Sequence, residues 1–300
     1  MMNADAGGKV PSPHLLSRVV KRLSSTGLEE FADDLAVEEP LDMQVEFGPA
    51  DWRQVKTISI TMRTPGHDRE LAVGFLVGEG MLRSRDEVEN VWGEGTYFGP
   101  NTVRVALQPG VMLDLKRLER NCYTTSSCGV CGKTSMEALK LNFFPVPETS
   151  DWEVSEQIVR SLPERLREAQ AVFQLTGGLH AAGLFNPDGT AIVVREDVGR
   201  HNAVDKVIGS QFLAGNTKLA RTILVVSGRA SFELMQKALA AGIPMLVAVG
   251  APSSLAVQVA EEFGATLIGF TKRTGFNIYT GPSRVRFETP SYETALARLA

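Results

Sequence analysis

Cysteine is scarce in this chain of 300 residues: there are three, alongside only four histidines. So few cysteines exclude a disulfide framework. A structural zinc site wants four nitrogen or sulfur ligands, commonly from paired motifs. Cys128 and Cys131 make one pair, but there is no second CxxC and no His-x-x-x-His to complete it. Structural zinc is therefore disfavoured. Basic charge is not in excess either: 31 Lys and Arg against 35 Asp and Glu leave a formal net charge of -4. That balance offers nothing to a nucleic acid. No apolar run approaches bilayer-spanning length and no hydrophobic signal segment follows Met1, so the expectation is a cytoplasmic protein without a membrane partner.

What is present is a 43% hydrophobic composition, enough to bury a sizeable core in one large domain or two unequal lobes. Residues 1–30 read as a flexible tail, with a short basic helix near Val19–Leu23. An N-terminal α+β lobe is expected over 31–120. It begins with strand signals at Leu35–Phe47 and Val55–Arg63, where Thr57-Ile58-Ser59-Ile60-Thr61-Met62 alternates polar and apolar. A helix follows over Glu70–Leu82, then a strand at Val103–Leu107. Residues 121–134 read as a mobile cysteine loop, and 135–300 as an α/β domain. Its helices are expected at Ser135–Leu141, Val154–Gln170, Asn202–Phe212, Phe232–Ala241 and Leu255–Phe263. A hairpin turned by Asn186-Pro187-Asp188-Gly189 joins Gly183–Phe185 to Ala191–Val194. Continuous apolar strands at Thr222–Val226, Met245–Val249 and Thr266–Phe270 alternate with helices, the pattern of a largely parallel, doubly covered sheet.

Ser126-Ser127-Cys128-Gly129-Val130-Cys131-Gly132-Lys133 places two thiols in a Gly- and Ser-rich loop beside a lysine. A thiol acts as nucleophile or ligand only as thiolate, and nearby amides and cations ease that ionisation. The spacing alone allows a redox disulfide, half a zinc site or a sulfur-carrying nucleophile. A zinc deaminase needs H-x-E upstream of P-C-x-x-C, but Ser127 precedes Cys128. Neither His67-Asp68-Arg69 nor His180-Ala181-Ala182 supplies the glutamate. A thioredoxin-type CxxC opens a helix directly after a strand, whereas Asn121–Ser127 is polar and loop-like. A thiolate on a mobile arm near an anion-binding rim survives this elimination.

The rim is expected where ligands bind such sheets, outside the carboxyl ends of the strands. Ser227-Gly228-Arg229-Ala230-Ser231 and Gly250-Ala251-Pro252-Ser253-Ser254 each open a helix, so free N–H groups face one edge. The bland alternative is that Ser231 and Ser253 are ordinary caps and Arg229 a solvated charge. Phe270-Thr271-Lys272-Arg273-Thr274-Gly275 sets two cations beside an aromatic past a strand end, suited to a phosphate and a base; its alternative is a solvated basic turn. Arg195-Glu196-Asp197-Val198-Gly199-Arg200-His201-Asn202 is the densest polar cluster, and its charges must pair internally or meet a ligand. His180, after Gly177-Gly178, reads as a satisfied, half-buried histidine.

Taken together, Cys128-Gly129-Val130-Cys131-Gly132, Arg195–Lys206, Ser227-Gly228-Arg229, Gly269-Phe270 and the Met62–Gly80 segment resemble the formate dehydrogenase accessory sulfurtransferase family, FdhD. The resemblance implies a cytidine-deaminase-like core without the zinc, a mixed, largely parallel sheet in the C-terminal half, a smaller N-terminal β-rich lobe and a homodimer. It implies a sulfurtransferase that takes persulfide sulfur from a cysteine desulfurase onto Cys128. The sulfur then passes to the molybdenum bis(molybdopterin guanine dinucleotide) of a formate dehydrogenase catalytic subunit. The family's cofactor-binding stretch falls on Phe270, Thr271, Lys272, Arg273, Thr274 and Gly275, with a GDP-like nucleotide as mimic. Ser227, Gly228, Arg229, Ser231, Arg200 and His201 are the further cofactor-binding candidates. Cys131 is expected to assist Cys128, either by releasing its sulfur through a disulfide or by tuning its ionisation, and no metal is expected to be bound. Two rival functions remain at this point: a guanine-nucleotide or cofactor-binding chaperone without sulfur transfer, and a zinc-dependent deaminase-like hydrolase.

Overall fold

In the computed structural model, the described residues are 14–93, 98–113, 152–216 and 219–287. They fall into two compact units between which the chain passes repeatedly. The first gathers the described residues up to 113 with Ala169–Ala181 and Arg195–Gly215; the second holds 152–168, Ala182–Val194 and the described residues from 216 onward.

The first unit opens with β1 (Leu15–Ser24) and β2 (Gly27–Ala36), an antiparallel hairpin turned at Gly27. Strand therefore replaces the short basic helix read at Val19–Leu23. Cross-strand pairing accounts for it: Arg18 lies opposite Asp33, Lys21 reaches Glu30 at 3.4 Å, and the Arg22 guanidinium sits 3.9 Å above the Phe31 ring. Such pairs stabilise a sheet without any hydrophobic period. β3 (Glu39–Phe47) and β4 (Gln54–Arg63) follow as expected, with Leu41, Met43 and Val45 on the buried face. Then come α1 (Asp68–Gly78), β5 (Val88–Trp92) and β6 (Thr102–Leu107). The four strands form a sheet of order β4-β3-β6-β5, with β3 and β6 parallel.

The chain next builds β7 (Val154–Ser155) and α2 (Glu156–Glu168) in the second unit, so the expected helix from Val154 starts two residues late. It returns for α3 (Ala171–Thr176), makes the hairpin of β8 (His180–Phe185) and β9 (Ala191–Asp197), and enters α4 (Arg200–Leu213). α1 and α4 form the closest helix pair of the first unit. A Cβ on Gly74 would run into the Asp205 carbonyl oxygen, and one on Gly209 into that of Glu70. Backbone sits directly on backbone at both points and has no flexible end to yield. Gly74→Ala or Gly209→Ala is expected to cost roughly 3 kcal/mol, the upper end of overpacking. Urea unfolding reads the cost, and a loss below about 0.5 kcal/mol would show that the helices can part.

The second unit continues with β10 (Ile223–Val226), α5 (Phe232–Ala240), β11 (Met245–Ala248), α6 (Ser254–Glu262), β12 (Thr266–Lys272), β13 (Gly275–Thr280) and β14 (Val285–Arg286). Its sheet order is β13-β12-β11-β10-β8-β9. Only β10, β11 and β12 run parallel to their neighbours; β8 is antiparallel to β10 and β13 to β12. The sheet is thus mixed rather than largely parallel, because hairpins close both of its sides. The architecture is mixed α/β. The helix expected at Ser135–Leu141 and the cysteine loop lie outside the described residues.

Candidate functional site

Most of the Arg195–Asn202 cluster is consumed by the first unit itself. Asp197 is fully buried; its Oδ2 meets Lys206 Nζ at 2.7 Å and accepts from Thr64 N at 3.2 Å. Its Oδ1 accepts from Gly199 N at 2.8 Å and from Asn202 Nδ2 at 3.0 Å. Lys206 Nζ also donates to the Thr64 carbonyl at 2.9 Å. Glu196 accepts from the first amides of α3, Val172 N at 3.0 Å and Phe173 N at 2.7 Å. Arg195 grips Glu70 with two hydrogen bonds of 2.6 and 2.8 Å, and His67 lies 3.4 Å from the same carboxylate. Burial raises the Glu70 pKa, but the Arg195 and His67 hydrogen bonds outweigh it and hold the pKa at about 2. Arg63 and Asp68, a buried bidentate pair at 2.9 Å, brace the same segment. The sequence reading missed this pair, since nothing about an Arg five residues before an Asp marks it as buried.

Arg200 and His201 lie in the first turn of α4, and Arg200 Nε is buried with no hydrogen-bond partner among the described residues. His180 is half-buried, as expected. Its pKa is lowered by that burial and then by the charges of Arg200 and His201.

In the second unit, the loops after the parallel strands are stitched together. Val249 N donates to the Val226 carbonyl at 3.1 Å and Gly250 N to that of Gly228 at 2.9 Å. Ala230 N donates to Ala251 O at 3.1 Å, Ser253 N to Ala230 O at 2.9 Å, and Phe270 N to Gly250 O at 3.0 Å. Ser227, Gly228, Arg229 and Ser231 therefore share one rim with the loop that opens α6 and with Phe270. Side chains at Gly250 or Gly269 would press on Gly228 and on Pro252, so both glycines permit this close approach. Ser253 caps α6 by accepting from Ala256 N at 3.2 Å, whereas Ser231 makes no side-chain cap bond to α5.

The expected position of Phe270–Gly275, past the end of the last strand, needs correction. β12 runs on through Lys272 after a bulge, and Lys272 pairs with Gly275, so the stretch is the tip of a β12–β13 hairpin. The bulge accounts for the missed extension, since it breaks the alternation after Gly269. Phe270 carries a left-handed backbone, φ 52, and is 49% exposed. Such a conformation in an aromatic residue stores strain that surrounding structure must impose. Thr271 is buried, and its hydroxyl has no partner among the described residues. Arg229, Lys272 and Arg273 are exposed and form no ion pair there. The rim thus offers three unneutralised cations, one orphan hydroxyl, an exposed ring and the starts of two helices, a set suited to a phosphorylated ligand carrying an aromatic base.

Cys128, Cys131 and Cys122 lie outside the described residues. Among those described, no group of three or more His, Cys, Asp or Glu is placed to hold a metal ion, and no helix is long and apolar enough to cross a membrane.

A model of the FdhD/NarQ family matches residues 36–286. The chain belongs to the FdhD/NarQ family. Curated relatives span nearly all of it. The sulfur carrier protein FdhD of Streptomyces avermitilis is 48% identical over 277 residues, 89% of this chain and 94% of the relative. The protein of the same name from Mycobacterium tuberculosis is 46% identical, covering 89% of this chain and 97% of that one. An archaeal FdhD from Saccharolobus solfataricus is 41% identical over 88% of this chain and 95% of its own. In fold, the chain is similar to the crystal structure of a candidate formate dehydrogenase accessory protein from Desulfotalea psychrophila. That likeness has a TM-score of 0.70 at 24% identity and covers 91% of this chain and all of the other. The FdhD/NarQ match includes the CxxC, the Arg195–Asn202 cluster and both rim segments.

Proposed function

We propose that this chain is a cytoplasmic, homodimeric sulfurtransferase that serves a formate dehydrogenase. Its deaminase-like core would have no zinc. Cys128 accepts persulfide sulfur from a cysteine desulfurase. The sulfur is then delivered to molybdenum bis(molybdopterin guanine dinucleotide) before that substrate enters the dehydrogenase catalytic subunit. The observation that carries this reading is the near full-length kinship with proteins named sulfur carriers, at 46–48% identity for two of them. The rim adds chemical sense. Lys272, Arg273 and Arg229 can neutralise a diphosphate, Phe270 offers a face for a guanine, and the starts of α5 and α6 present amides.

Atoms balance in the loading step. The Cys128 thiolate attacks the outer sulfur of the desulfurase persulfide, the S–S bond there breaks, and the desulfurase cysteine leaves as thiolate. The test is intact-protein mass spectrometry after incubation with a cysteine desulfurase and cysteine. The expected result is an adduct of about 32 Da, one sulfur atom, that is removed by reductant and absent from Cys128→Ser. An active desulfurase that leaves the wild-type mass unchanged would instead favour a cofactor-binding chaperone without sulfur transfer.

A further inference from the structure

The β1–β2 hairpin is a sheet of two strands, and among the described residues no further strand pairs with either edge. Two strands alone are marginally stable in water, so such a ribbon is stabilised by whatever covers it. Residues paired across the ladder share a face. On one face the Arg22 guanidinium already lies over the Phe31 ring, 3.9 Å from its centre. The other face carries three consecutive cross-strand rows: Val19 with Ala32, Lys21 with Glu30, and Leu23 with Leu28. Val19, Leu23 and Leu28 are 74, 81 and 66% exposed, so the first unit leaves these rows uncovered. An apolar row on each side of a charged one is a surface with a definite complement.

We infer that this face is an interface with a second copy of the chain, stacked on it by a two-fold axis that runs along the hairpin. Such an axis lays β1 of one copy over β2 of the other. Leu23 then faces Leu28 of the second copy, Val19 faces Ala32, and Lys21 faces Glu30, each contact being made twice by symmetry. Apolar rows meet apolar rows, and every charge meets its opposite. Edge-to-edge pairing of two copies is opposed by charge. Through β1 it sets the basic Arg18, Lys21 and Arg22 of both copies against each other, and through β2 the acidic Glu29, Glu30, Asp33 and Asp34. Joining β1 of one copy to β2 of the next avoids that conflict but leaves an edge open at each end, so it grows past a dimer. The free face, about 26 Å by 10 Å from strand rise and spacing, is roughly a third of the ~800 Å² per partner of a standard interface. The dimer is therefore of the weak, reversible class. The inference rests on the reading that the protein is homodimeric and goes further by naming the surface and its pairing.

Analytical ultracentrifugation of the full chain across micromolar concentrations is expected to show a reversible dimer. Leu23→Ser/Leu28→Ser changes only exposed side chains and is expected to weaken it at least about tenfold. Lys21→Glu and Glu30→Lys should each do the same, because each sets like charges face to face at two places. Both charge variants also lose the 3.4 Å Lys21–Glu30 pair within their own hairpin. That loss is the same whether the two proteins are kept apart or mixed, so mixing isolates the contact between copies. Mixed in equal amounts, they should form a mixed dimer about as tight as wild type, since opposite charges then face each other at both contacts. Thermal unfolding checks that each variant is folded. A dimer that none of these changes weakens, mixing that restores nothing, or growth past a dimer overturns the surface and leaves the sulfurtransferase reading standing. A wild type that stays monomeric throughout overturns both the surface and the homodimer. Sulfur loading of the same samples, read as mass gain, decides the carrier assignment separately.

Discussion

Asp197→Ala and Lys206→Met should each remove about 3–5 kcal/mol of unfolding free energy, because each leaves the other charge buried and uncompensated. Both residues are almost fully buried, and they meet at 2.7 Å. Asp197 also satisfies the amides of Thr64 and Gly199, so the pair ties the segment ahead of α1 to the first turn of α4. The double variant should lose clearly less than the sum of the singles, since removing both charges abolishes the desolvation penalty of each. A double-mutant cycle by urea unfolding measures the coupling. Additive losses, or singles below about 1 kcal/mol, would mean that solvent or a rearranged neighbour replaces the missing partner.

The parts of the fold legible in the sequence were those with a strong local period. Continuous apolar runs marked β10 and β11 to within a residue, and the Asn186–Gly189 turn marked its hairpin. β1 and β2 were not legible, because their order comes from charges paired across the turn, such as Lys21 with Glu30, rather than from alternation. β13 was missed for a different reason. Phe276, Ile278, Tyr279 and Thr280 are strand formers, but β13 pairs with β12 across a bulge, and the basic Lys272-Arg273 turn drew the reading of this stretch toward a loop past the sheet. At the site, composition showed that the Arg195–Asn202 charges must be either paired or ligand-facing. It could not divide them, because the partners Glu70, Thr64 and the α3 amides come from distant stretches of chain. The orphan hydroxyl of Thr271 and the strained Phe270 backbone are properties of one bulge, and residue type alone does not encode them.

Formate dehydrogenase matured with Cys128→Ala as the sole copy of this protein is expected to show activity at least about 100-fold below wild type, because alanine offers no nucleophile to carry sulfur. The change removes one small side chain from the Gly- and Ser-rich motif. Thermal unfolding and GDP binding by the variant should therefore match wild type. That contrast distinguishes a lost carrier from a lost fold. Cys131→Ala divides the cycle differently. Release through the second cysteine would proceed by attack of its thiolate on the inner sulfur of the Cys128 persulfide. A Cys128–Cys131 disulfide forms and hydrosulfide leaves with the electron pair, so a reductant is needed before the next turnover. Cys131→Ala is accordingly expected to load sulfur like wild type but to retain its adduct longer in a chase with excess unlabelled cysteine. Equal chase rates would limit Cys131 to an influence on its neighbour's ionisation. Full activation by Cys128→Ala would remove sulfur transfer from the account and leave the rim as the working part of the molecule.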